Sequence, residues 1–298
     1  MAGEPAGARD QYAALLPITA QVLGPEHPDT LWGRADLARF TGEAGDAAGA
    51  CDQYAALLPI DERILGPEHP NTLATRSHLA FWTGAAGDGA EARDQYAALV
   101  PIEERVLGSE HPDTLSARAG LAIHTGKAGD AATARDQLAA LLPVRERVLG
   151  PEHPENLITR SYLAGFTGHA GDAAGARDQI AALLPIEERV LGPEHPATLI
   201  DRHGLARWTG EAGDVAGARD RYAALLPIRE RVSGPEHPAT LYIRGNLAIL
   251  TGKAGDAAGA RDQYATLLPM FERVLGPQHP QTLAARQNLA YWTGRAGS

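Results

Sequence analysis

Seven histidines precede prolines at a fixed interval of 42 residues: His27, His69, His111, His153, His195, His237 and His279, with glutamate before each except the last. Imidazole beside carboxylate is the pairing used for acid–base chemistry and for ligating zinc. A zinc site needs several such groups within about 2 Å of one centre, whereas equivalent atoms of stacked helical repeats lie roughly 10 Å apart, one helix diameter. The spacing therefore argues against a shared metal, and each histidine is expected to tie down its own link by hydrogen bonds. No serine, cysteine or carboxylate constellation for catalysis stands out from the repeat, and there is no phosphate-cradling glycine motif. The expectation is a protein that is not an enzyme, with no metal and no cofactor.

Arginine is the second periodic group, at Arg34, Arg76, Arg118, Arg160, Arg202, Arg244 and Arg286. Glutamates recur with it at Glu62, Glu104, Glu146, Glu188, Glu230 and Glu272, while the first unit has Ala20. This predicts a ladder in which each glutamate bonds the arginine of the next helix, leaving Arg34 without its partner; such contacts fix register more than they add stability.

A period of 42 without drift across 298 residues marks a solenoid, whose units bury their apolar faces only by stacking. Residues 1–298 read as one array of seven units, starting with a second-type helix (B) and ending with a first-type helix (A). In the unit from Pro28 to His69, Leu31, Leu37, Ala38 and Thr41 give one face of helix A, roughly 28–41. Gly42 is assigned the left-handed residue that ends it. Asp46 caps helix B, roughly 47–65, with Ala50, Tyr54, Leu57, Leu58, Ile64 and Leu65 as its stripe and Gly66-Pro67 as its stop. Pro59 and its equivalents lie well inside helix B, where a proline costs about 3 kcal/mol and is expected to kink the helix.

The net charge of -10 argues against a general nucleic-acid binder. The one cysteine, Cys51, replaces an arginine of the other units and reads as surface drift. With no apolar leader and no run of 18 apolar residues, a cytoplasmic protein with no membrane contact is expected.

Asn246-Leu247-Ala248, Gly255, Ala260 and Tyr264 follow the spacing of the tetratricopeptide repeat (TPR). The unit length and the Leu-Gly-Pro-Glu-His-Pro link resemble the kinesin-light-chain subtype, and the wording resembles arrays in actinobacterial regulatory proteins. The resemblance implies an all-α, right-handed superhelix (α-solenoid) of about fourteen antiparallel helices, with a concave groove lined by helix A. It implies a protein or peptide client for that groove, as a scaffold or as the sensing arm of a larger regulator.

Between units, helix B is nearly constant and helix A varies. The variable positions step by three and four along one face, and they carry Trp32, Arg39, Ser77, Phe81, Ile123, Ile158, His203, Arg207, Tyr242, Ile249 and Tyr291. These are the peptide-groove candidates, since aromatic and arginine anchors dominate peptide interfaces. An alternative is head-to-tail self-association through the terminal helices, with Tyr12, Leu15, Leu16, Leu283, Leu289 and Trp292 as contacts. Ser233 replaces the link leucine of other units, an expected loss of about 2 kcal/mol if that side chain is buried.

Overall fold

The computed structural model describes residues 3–297. Among them are fourteen α-helices and no strand. Seven lie in a compact unit spanning Met1–Pro151: α1 (Gly3–Leu23), α2 (Pro28–Glu43), α3 (Ala47–Ile64), α4 (Pro70–Ala85), α5 (Gly89–Val106), α6 (Pro112–Lys127) and α7 (Ala131–Leu149). The other seven lie in Glu152–Ser298: α8 (Pro154–His169), α9 (Ala173–Val190), α10 (Pro196–Glu211), α11 (Val215–Ser233), α12 (Pro238–Lys253), α13 (Ala257–Leu275) and α14 (Pro280–Ala296). Within each unit every helix packs on its sequence neighbours. Even-numbered helices are type A and odd-numbered helices type B.

Each histidine of the links is an N-cap. Nδ1 of His27 accepts from the backbone N–H of Asp29 at 3.2 Å, and His69 does the same for Asn71. The capped helix then opens on proline, whose missing N–H costs nothing in a first turn. Asp46 caps α3 as expected, its Oδ1 accepting from the N–H of Gly49 at 2.8 Å. The helices run through their internal prolines, Pro59 in α3 and Pro101 in α5 among them.

Gly42 is not the left-handed residue. It is a buried position inside α2, and the left-handed φ of 103° belongs to Gly45. The reason lies in the next A helix: a Cβ on Gly42 would stand 2.3 Å from Cη2 of Trp82. Gly84 seats the ring of His124, Gly168 that of Trp208 and Gly252 that of Trp292 in the same way. Glycine here is a flat seat for the ring one repeat on.

The cores repeat with the sequence. Leu31, Ala38, Ala50, Tyr54 and Leu57 are buried together, and Leu199, Ala206, Ala218, Tyr222 and Leu225 are their equivalents in the second unit. A buried leucine contributes about 1.5–3 kcal/mol. The link leucines, Leu65, Leu107 and Leu191, are only half-buried, so Ser233 forfeits about 1 kcal/mol and not the larger figure expected from full burial. Cys51 is likewise half-buried, its Sγ 3.4 Å from Oγ1 of Thr83, which corrects its reading as surface drift.

The arginine–glutamate ladder is present at Arg76–Glu62 (2.6 Å), Arg202–Glu188 (2.9 Å), Arg244–Glu230 (2.5 Å) and Arg286–Glu272 (2.6 Å), and is looser at Arg118–Glu104 (3.8 Å). Arg34 makes no such pair among the described residues. A second ladder was not anticipated: the link glutamates pair with an arginine 37 residues on, as in Glu68–Arg105 and Glu152–Arg189, both 2.5 Å. These pairs are exposed, so they add little stability.

Candidate ligand site on the A helices

The variable residues of helix A occupy three recurrent positions, Ser77 and His203 sharing the third. Trp32, Ile158, Ile200 and Tyr242 share the first, and all four are exposed, Trp32 by 59% and Tyr242 by 41%. Phe81 and Tyr291 share the second and are about half exposed, each set edge-on against the tryptophan that follows it. Ile123 and Ile249, also at that position, are half-buried.

Arg39 and Arg207 occupy the second position in other repeats, but they are held by their own helices. Arg39 bonds Asp36 at 3.0 Å and Glu43 at 3.1 Å and lies over the ring of Phe40. Arg207 bonds Glu211 at 2.8 Å and lies over Trp208. They are braced as flat stacking surfaces with part of their charge already met. Ser77 contributes its carbonyl, which accepts from the Tyr96 hydroxyl at 3.4 Å.

Between successive A helices lie cavities with a common plan. In the first unit one of about 160 Å3 is walled by Trp32, Ala35, Ala74 and His78 over Asp61. In the second unit one of about 270 Å3 is walled by Ile200, His203, Tyr242 and Ile243 over Arg229. Beside it a third, of about 150 Å3, holds Tyr242, Ile249, Asn246 and Asn288 over Phe271. The structure thus brings His203 and Tyr242 together at one cavity and Tyr242 and Ile249 at the next, and sets Trp32 at a cavity of its own. Phe81, Tyr291 and Ile158 are presented outward.

The floor residues were missed by sequence reasoning. Two residues after each helix B proline the chain places Thr19, Asp61, Glu103, Arg145, Glu187, Arg229 and Phe271. Asp61, Glu103, Arg145, Glu187 and Phe271 are buried, Arg229 partly. Variation at a buried position of an otherwise constant helix was the available signal. Burial pushes Glu103 up to about 7, with the charge of Asp113 adding to it. Burial also raises Glu187 well above the usual carboxylate range, helped by the charge of Asp201. Asp201 in turn accepts from Oγ of Ser161 at 2.6 Å. Asp61 accepts from Oγ1 of Thr75 at 2.7 Å and is raised by burial. His203 packs on Tyr222 and Tyr242, and burial pushes it down to about 4, so it is a neutral imidazole at pH 7.

The terminal candidates divide. Leu15 is 51% and Leu283 37% exposed, although their repeat equivalents Leu57 and Leu241 are buried. Tyr12 stacks on Phe40, Leu16 sits against Gly33, and Leu289 and Trp292 belong to the core around Leu267 and Phe271.

Tetratricopeptide repeat models match residues 72–113, 114–155 and 210–273. A kinesin light chain structure from Podosopora anserina with nearly identical TPR-like repeats is 27% identical, with a TM-score of 0.56 over 70% of this chain and 98% of that one. BtubC from P. vanneervenii is 18% identical, with a TM-score of 0.61 over 77% of this chain and 92% of that one. A Signal Transduction ATPase with Numerous Domains protein with a tetratricopeptide repeat sensor, from Pyrococcus horikoshii, is 12% identical, with a TM-score of 0.65 over 99% of this chain and 45% of that one. The last two likenesses speak to the fold alone. No curated protein matches. With repeat models on both units and the same helix pairs in solved arrays, the chain belongs to the tetratricopeptide repeat family, as an all-α solenoid of the kinesin-light-chain-like kind.

Proposed function

We propose that this repeat scaffold binds a protein or peptide client along the faces of its A helices, and that residues 1–298 act as one solenoid in doing so. One observation carries the reading: large apolar side chains are left exposed at two of the three repeat positions that vary between units, Trp32, Ile158, Ile200 and Tyr242 at one and Phe81 and Tyr291 at another. Variation at constant architecture is how a repeat protein acquires a particular ligand, and exposed aromatic anchors beside small cavities suit extended peptides. The scaffold needs no catalysis of its own. Acidity disfavours a nucleic-acid partner, and no helix among the described residues is long and apolar enough to cross a membrane; a cytoplasmic setting and a role as the sensing arm of a larger regulator belong to the same proposal.

A second reading, head-to-tail self-association, draws on the exposure of Leu15 and Leu283. It also draws on charge: Gln21 stands where later B helices carry the ladder arginine, and Gln278 where earlier links carry its glutamate, so stacked copies would meet with two neutral amides. Sedimentation velocity separates the readings. Phe81→Ala with Tyr242→Ala is expected to leave the sedimentation coefficient unchanged and weaken client binding at least tenfold. Concentration-dependent growth that Leu15→Gln with Leu283→Gln abolishes would instead establish self-association.

A further inference from the structure

Arg229 is the one floor residue of the second unit that carries a charge it cannot discard. Glu187 lies at the equivalent position and can stay protonated, and Phe271 has no charge to lose. Arg229 makes no ion pair among the described residues, and its Nε is buried without an acceptor. Burial lowers its pKa, a sign that the guanidinium is poorly solvated, yet arginine remains protonated at any ordinary pH. The nearby charged neighbour Glu230 is engaged by Arg244 at 2.5 Å. The other polar groups at the cavity are neutral: the His203 imidazole, the Tyr242 hydroxyl and the Gln281 amide. Ile200 and Ile243 make the rest of the wall apolar.

We propose that the cavity between α10 and α12 is a binding site for a carboxylate carried on an apolar body, with the Arg229 guanidinium as its counter-ion. A planar carboxylate matches the guanidinium fork, and its burial removes the cost of an unmatched charge. The body of the ligand lies against Ile200, Tyr242 and Ile243, and about 270 Å3 accommodates a phenyl or branched alkyl group. A free aryl or alkyl acid and an acidic residue beside an apolar one in a peptide present the same chemistry. The inference rests on the reading of the A helices as a ligand face, and it adds the selectivity of one seat.

NMR titration of the whole chain with phenylacetate, hexanoate and the neutral phenylacetamide tests it, beside a capped Leu-Glu-Leu peptide and its Leu-Gln-Leu counterpart. At least one acid is expected to bind tenfold or more tightly than its amide, with shifts at residues 200–203 and 239–243. Arg229→Met, which keeps the volume and drops the charge, is expected to bring that ratio to about one, and Arg229→Lys to restore part of it. A stronger free acid identifies a small-molecule source, and a stronger Leu-Glu-Leu peptide a protein source. Binding by none of the acids, equal binding of acid and amide, or a ratio unchanged in Arg229→Met overturns the proposal. Phe81→Ala, in the other unit, tests the client-binding reading separately, so either can fail alone.

Discussion

Glu103→Met is expected to stabilise the protein at pH 8 by about 3 kcal/mol, with the gain shrinking towards pH 5. Both Glu103 carboxylate oxygens are buried without a partner, and burial lifts the group to about 7. In the folded state the proton is held up to that pH; in the unfolded chain it leaves near 4.5. Between these values the folded protein binds more protons than the unfolded one, so stability falls as pH rises. Glu187 acts in the same direction. The buried histidines act oppositely: His78, His124 and His203 are pushed down by burial, so they stay neutral on folding and cost stability as pH falls below about 6.5. Above about pH 7.5 the imidazoles are neutral in both states; between about pH 6.5 and 7.5 their deprotonation in the unfolded chain offsets part of the carboxyl slope, equally in wild type and variant. Urea midpoints at pH 6.5 and 8 are the measurement: wild type declines and Glu103→Met declines less. An equal decline in both proteins would mean that Glu103 ionises freely in the fold.

Gly168→Ala is expected to destabilise by about 2 kcal/mol, although alanine is the better helix former by about 1 kcal/mol. A Cβ there would stand 2.6 Å from the Trp208 ring, which is itself buried. Gly165→Ala in the same helix meets nothing within 4 Å and is expected to stabilise slightly. Trp208→Leu should rescue Gly168→Ala, as the chain itself suggests: a Cβ on Gly210 would stand 3.8 Å from Leu250, where other seats hold rings. Thermal unfolding of the two single variants and the double variant shows whether the coupling is real; two additive losses would refute the ring-seat account.

Much of this was legible in the sequence because repetition multiplies a weak signal. One histidine before proline is ambiguous, whereas seven at one period read as a capping device, and the caps and most of the Arg–Glu ladder are found where spacing puts them. Gly42 was misread because a glycine near a helix end ordinarily terminates it. Its role depends on Trp82, 40 residues away and brought near only by stacking. The floor residues Asp61, Glu103 and Arg229 escaped for a related reason: a charged residue on an amphipathic helix reads as solvent-facing until a neighbouring helix is shown to cover it. Among the candidates on helix A, sequence placed the residues on the right element but could not separate Tyr242, which lines a cavity, from Arg207, whose charge its own helix engages.

The most direct test of client binding is to select peptides from a random displayed library on the 298-residue chain and measure them against two sets of variants. One set removes Trp32, Phe81 and Tyr242 singly; the other alters Arg93 and Arg261, which lie on B helices and each pair with the aspartate beside them. The account predicts losses of at least tenfold in the first set and none beyond twofold in the second. Selected peptides that ignore Trp32, Phe81 and Tyr242 and depend on the B-helix arginines would contradict it.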